Sequence, residues 1–135
     1  MSHITIEDVD ITYDKPDGAG KFIAVEKANL SIDEGTFVTL VGPSGCGKSS
    51  LLMAIDGLVN ISGGTIKVNQ VPVAGPGRDR AMVFQEFSLL PWRTIVENVK
   101  FGLEMHRWKT DDIEERARRF IRLAGLVGFE DYHPH

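Results

Sequence analysis

Eight consecutive residues carry the strongest chemical signal in the chain: Gly42-Pro43-Ser44-Gly45-Cys46-Gly47-Lys48-Ser49. They match the phosphate-loop spacing G-x-x-x-x-G-K-[ST] without exception. Triphosphate oxygens need many donors at close range. Gly42, Gly45 and Gly47 present no side chains, so successive backbone N–H groups can turn inward as an anion nest. A helix opening directly after the loop points its positive end at the same spot. Lys48 brings a mobile ammonium to the β- and γ-phosphates. The Ser49 hydroxyl suits Mg²⁺, a hard cation that prefers oxygen. Ser50 is grouped with the same set, as are Pro43, Ser44 and Cys46 inside the loop. A thiol beside a cation and a helix N-terminus is open to a redox role; the plainer reading of Cys46 is a small filler. A glycine turn with no ligand is the bland alternative for the whole motif, and the elements on either side of it weigh against that.

Those elements are legible. Residues 36–41 (TFVTLV) form a nearly continuous apolar run with β-branched members, as expected of a strand buried on both faces. Residues 48–58 have helical spacing with no breaker before Gly57. Upstream, residues 3–13 read as a strand with an irregular middle, residues 14–20 as a Pro/Gly turn, and residues 22–25 and 29–32 as two further strands. Downstream, residues 63–68 predict a strand, residues 72–77 a loop, and residues 81–84 a short apolar strand. A helix is expected over 94–106, capped by Thr94, with Ile95, Val99, Leu103 and His106 along one side. A second is expected over 111–124, capped by Thr110 or Asp111, with acidic residues in its first turn and an apolar stripe of Ile113, Ala117, Phe120, Ile121 and Ala124. The charged residues Glu114, Glu115, Arg116, Arg118 and Arg119 read as its solvated face, and His133 and His135 as a solvated tail.

Composition bounds the class. The 135 residues suffice for one domain with a real core, and the net charge of −4 argues against a nucleic-acid partner. No apolar run is long enough to span a bilayer, and the start of the chain lacks a signal-peptide pattern. One cysteine allows no internal disulfide.

Phosphate loops serve many enzymes, and the flanking residues choose among them. The stretch 41–58 resembles the Walker A region of ABC ATPases. Val83-Phe84-Gln85-Glu86 resembles their Q-loop, with Gln85 as the switch glutamine. Leu89-Leu90-Pro91-Trp92-Arg93-Thr94-Ile95-Val96-Glu97-Asn98-Val99 and Gly75-Pro76-Gly77-Arg78-Asp79-Arg80-Ala81 are similar to the nitrate, sulfonate and taurine importer group. Tyr13 sits where the family places the A-loop aromatic that stacks on adenine; a plain strand aromatic is the alternative. The resemblance covers essentially the whole chain.

It implies an α/β fold: a P-loop NTPase-like ABC ATPase core with an antiparallel β subdomain at the front, the start of the helical subdomain at the back, and an incomplete central sheet. Residues 1–135 would be one partial nucleotide-binding domain, with the β subdomain and Walker A core over about 1–88 and the Q-loop and helical start over about 85–135. It further implies ATP and Mg²⁺ as cofactors, with Ser49 and Gln85 touching the metal and Gln85 acting catalytically. The implied partners are a transmembrane permease subunit and a second ATP-binding subunit in a homodimer, on the inner face of the cell membrane. The transported solute would be a small anion such as nitrate, a sulfonate or taurine. Trp92 and its apolar neighbours fit either buried core or the groove that receives the permease.

The chain also departs from the family. Asp56 stands where relatives carry a small or apolar residue, and it imitates a Walker B aspartate. Seven residues of helix place it roughly 10 Å beyond Ser49, so a helix-end or polar-contact role is expected instead. The signature L-S-G-G-Q, the Walker B strand with its adjacent Glu, and the switch histidine do not occur; Ser62-Gly63-Gly64 lies too early to replace the signature. In relatives a stretch like Asp131-Tyr132-His133-Pro134-His135 directly precedes the signature, so the chain is expected to stop at that boundary and to lack turnover by itself. Residues 36–41 would then keep an open strand edge. Two other readings are a natural fragment that only binds nucleotide or a partner, and another phosphate-loop enzyme such as a small-molecule kinase; the second has no lid or acceptor site in its favour.

Overall fold

The computed structural model describes residues 2–86, 88–105 and 109–135. They form two compact units, Met1–Val83 and Phe84–His135.

The first unit is built on an antiparallel sheet in the order β2-β1-β3-β4, with β1 at Ser2–Asp14, β2 at Lys21–Asp33, β3 at Gly63–Val68 and β4 at Val71–Pro72. The irregular middle of β1 is a phase shift. Ile4 and Ile6 alternate inward at even positions, and Val9, Ile11 and Tyr13 continue inward at odd ones. The β1–β2 register slips between Ile6 and Val9, where Asp8 takes φ 46°. Because side chains alternate with period two, only an inserted residue lets both halves face one core. Polar side chains hold the bulge: Asp8 N donates to Asn29 Oδ1 at 3.0 Å, and Lys27 N to Asp10 Oδ1 at 2.8 Å. Lys27, at φ 44°, bulges the opposite strand. β2 therefore runs unbroken where the sequence predicts two strands, because the bulge absorbs the break in alternation.

Helix α1, Lys48–Asp56, lies on the inner face of this sheet. Its Ala54 joins Ile6, Val9, Ile11 and Ile66 in the buried core, with Leu51 and Ile55 packed around them. Gly57 ends it in the left-handed conformation, and the N–H groups of Gly57 and Leu58 close on the carbonyls of Ala54 and Met53.

Two predicted strands do not form. Residues 36–41 have no strand pairing; Phe37 is 91% exposed and Val41 93%. Residues 81–84 likewise lie outside any sheet, with Val83 and Phe84 exposed. A strand's backbone groups are satisfied only by a neighbouring strand, and none of the described segments is paired with either run.

The second unit pairs helix α2, Ile95–Met105, with helix α3, Thr110–Leu123. Ala117 and Ile121 of the predicted stripe are fully buried, whereas Phe120 is half exposed. The cap of α3 differs from expectation: Lys109 is the N-cap and no side chain bonds there, because Thr110 already lies inside the helix. Asp111 and Asp112 fill its first turn as expected. His106 lies outside the described residues.

Candidate functional site

The loop before α1 has the backbone of a phosphate cradle. Gly45 takes φ 81° and Gly47 φ 87°, conformations that L side chains rarely adopt. A Cβ on Gly45 would meet nothing within 4 Å, so that position faces open space. A Cβ on Gly47 would lie 2.2 Å from the carbonyl oxygen of Ala24, so glycine there lets the loop close onto β2. Gly47 is also the N-cap of α1. Helix geometry then leaves the N–H groups of Lys48, Ser49 and Ser50 directed out of the helix end, where the dipole is positive.

The Lys48 ammonium folds back over the loop, donating to the carbonyls of Gly42 at 2.8 Å and Pro43 at 2.6 Å, with Cys46 Sγ 3.4 Å away. Pro43, Ser44, Cys46 and Ser49 are exposed. Ser50 is half-buried and accepts a hydrogen bond from the Tyr13 hydroxyl at 3.1 Å. Tyr13 thus packs on the sheet core with its ring and reaches the phosphate-loop helix with its tip. This brings together Tyr13, the loop and Ser50, residues that stand 37 positions apart at the widest bond. A cleft of about 330 Å³ lies beside the loop, lined by Ala24, Val25, Leu40, Cys46 and Lys48 among others. Glycines in the left-handed region, an open position at Gly45, a helix N-terminus and the Lys48 ammonium fit a phosphate chain, and the exposed Ser49 hydroxyl fits a magnesium ligand.

Gln85 is carried by the second unit, in a bend, with its side chain exposed. Trp92 is 72% exposed and Leu89 about half, so neither is core. The loop bearing Trp92 is nonetheless rigidly held. Asn98 Nδ2 donates to the carbonyls of Leu90, Arg93 and Thr94, and Asn98 Oδ1 accepts from Leu90 N at 2.8 Å. Arg93 pairs with Glu104 and lies over the Phe101 ring at 5.0 Å. Sequence reading misses the Asn98 staple, which no motif announces. The expected Thr94 cap forms, and Glu97 makes it reciprocal, in keeping with the T-x-x-E signature. Thr94 N donates to Glu97 Oε2 at 2.8 Å and Glu97 N to Thr94 Oγ1 at 3.3 Å. The Thr94 backbone bond holds the Glu97 carboxyl below its ordinary range. Lys100, bonded to Glu114, does the same there.

The architecture has close relatives among solved structures. The chain is similar to MJ0796, a bacterial ABC transporter cassette solved as a dimer, with a TM-score of 0.83 and 29% identity over 97% of this chain and 61% of that one. The same cassette in a post-hydrolysis state bound to ADP and Pi gives 0.82 and 28%. The fold class is therefore that of an incomplete ABC ATPase core, with one four-stranded antiparallel sheet among the described residues. Residues 25–135 match the ABC transporter family, and the chain belongs to it. Among curated relatives it is similar to the taurine import ATP-binding protein TauB of Burkholderia pseudomallei, 41% identical over 98% of this chain and 50% of that protein. It is similar also to the nitrate import ATP-binding protein NrtD of Synechocystis, 42% identical over 85% of this chain and 43% of that protein. An uncharacterized ABC transporter ATP-binding protein, MJ0412 of Methanocaldococcus jannaschii, is 45% identical over 83% of this chain. The chain spans about half the length of the curated relatives it matches.

Proposed function

We propose that this chain is the nucleotide-cradling portion of an ABC importer ATPase that energises uptake of a small anion of the nitrate, sulfonate or taurine kind. The observation that carries the reading is the loop geometry: a left-handed glycine nest at the N-terminus of α1 with Lys48 held at its mouth. When bound, magnesium ATP supplies the phosphoanhydride bond whose hydrolysis powers transport. The residues of the chain bind and orient it. The N–H groups of the loop and of the first turn of α1 donate to phosphate oxygens. Lys48 exchanges neutral carbonyl partners for anionic ones, a change toward stronger hydrogen bonds. Ser49 offers its hydroxyl oxygen to the metal, and the Tyr13 ring stacks on the base. Gln85 reports on the metal or the attacking water through its amide. The residues around Trp92, held by Asn98, form the face toward a permease subunit, and a second ATP-binding subunit completes the assembly at the inner face of the membrane. The solute assignment is supported by the printed functions of TauB and NrtD.

The test is reconstitution of the full-length protein with its permease in vesicles loaded with ATP. Uptake of nitrate, a sulfonate or taurine should require ATP and should disappear with Lys48→Ala. ATP-driven uptake of none of the three would refute the solute class.

A further inference from the structure

A second aromatic ring stands beside Tyr13 at the end of the front sheet. The β1–β2 register places Phe22 directly opposite Tyr13. Residues opposite each other in an antiparallel pair point to the same face, with Cβ atoms about 5 Å apart. Tyr13 packs against the core, so the shared face is the inner one, on which α1 lies. A register slip puts Phe22 there. Ile11 faces Val25 and Thr12 faces Ile23, which leaves Ala24 as an extra residue in β2. Without it Tyr13 would face Ile23, and Phe22 would turn to the outer face. The core takes in Ala24 and Val25, whereas Phe22 is 52% exposed. Among the described residues Phe22 stacks on no other ring.

The same bulge meets the phosphate loop. A Cβ on Gly47 would lie 2.2 Å from the Ala24 carbonyl oxygen and 2.9 Å from Val25 Cγ2, so the loop closes on the strand that carries Phe22. Ala24 and Val25 also wall the cleft beside the loop, together with Cys46 and Lys48. Two residues of strand, about 7 Å, separate Phe22 from that contact. Loop, Tyr13 and Phe22 all belong to the first compact unit.

We infer that Phe22 is a second base-holding residue: with the phosphates in the loop and the base on Tyr13, the Phe22 ring meets the same base from the adjoining strand. This inference rests on the nucleotide reading proposed above. A phenyl ring has no donor or acceptor, so Phe22 adds affinity for a planar aromatic base without reading the base's edge. The experiment titrates ATP and inorganic triphosphate separately into the full-length protein. Phe22→Ala should weaken ATP roughly threefold to tenfold, the scale of one aromatic contact, and leave inorganic triphosphate unchanged. Phe22→Leu, which keeps apolar bulk and removes the ring, should fall between; it carries the same comparison if Phe22→Ala does not fold. Added to Tyr13→Ala, Phe22→Ala should cost less than it does alone, because a base released by one ring is no longer held against the other. Unchanged ATP affinity, an equal loss for inorganic triphosphate, or losses that multiply in full with Tyr13→Ala would each overturn the role. Lys48→Ala separates the two levels: ATP binding that survives it overturns the nucleotide reading, whereas binding that it abolishes and Phe22→Ala leaves intact overturns only the role of Phe22.

Discussion

The phosphate-loop helix and the apolar run just before it are neighbours in sequence and opposites in structure. Residues 36–41 have the composition of a central strand and stand exposed, with no ladder. Residues 48–56 form a helix that packs into the core through Ala54. The difference lies in where the hydrogen bonds come from. A helix closes its own, and Leu51 N already bonds Gly47 O at 2.9 Å as the first turn forms. A strand borrows all of its bonds from another strand. The front sheet makes the same point, since β1 finds β2 after a short turn and then β3 on its other side. The loop and α1 are therefore held by local bonds and by packing on one sheet.

Hydrogen exchange on the 135-residue chain tests this contrast most severely. Core amides of α1 should exchange at least about a hundredfold more slowly than those of residues 36–41, as expected between a packed element and an unpaired one. Equal rates would mean that the helix is no better formed than the run.

Substitution at Gly47 probes the contact that fixes the loop. Gly47→Val should cost on the order of 2 kcal/mol or more, because it places a branched side chain at φ 87° and against the Ala24 carbonyl. A melting temperature and ATP affinity both equal to wild type would show that the loop closes without this contact. Tyr13 separates base from phosphate. Tyr13→Ala should weaken ATP by about 1–2 kcal/mol in a titration and leave inorganic triphosphate unaffected. A loss shared by both ligands would assign Tyr13 to holding the helix through Ser50 instead of stacking on adenine.

The smallest effect belongs to the second unit, where a local device again suffices. Thr94→Ala should cost about 1 kcal/mol of stability by removing one side of the reciprocal cap of α2. The other side is pH-dependent. The Glu97 carboxyl is held below its ordinary value by the Thr94 backbone bond, so its contribution is present above that ordinary value and is lost as pH falls through the lowered one. Urea midpoints of wild type and Glu97→Gln should therefore converge in acid. A gap that persists there would assign the effect to packing.

What was legible in the sequence follows the same division. The loop, α1, the bulged β1 and both later helices can be read from spacing because each carries its own instructions: glycines at fixed offsets, helical stripes, turn residues. The strands at 36–41 and 81–84 are misread because apolar composition states a preference for burial and says nothing about whether a partner strand is present. The phase shift that keeps β2 continuous depends on Asp8 and Lys27 adopting positive φ, which their residue types do not announce. Within the candidate site, glycine spacing anticipates the left-handed turns at Gly45 and Gly47. The Tyr13–Ser50 bond joins residues far apart, and no local pattern encodes it.

The central claim is that residues 42–50 form a phosphate cradle with Lys48 at its mouth. Titration of ATP into the wild-type chain and into Lys48→Ala tests it most directly. Saturable binding by the wild type, and its loss by about a hundredfold or more without the ammonium, is the predicted result, on the scale of removing a charge-assisted contact. Equal affinity in the two chains would contradict it.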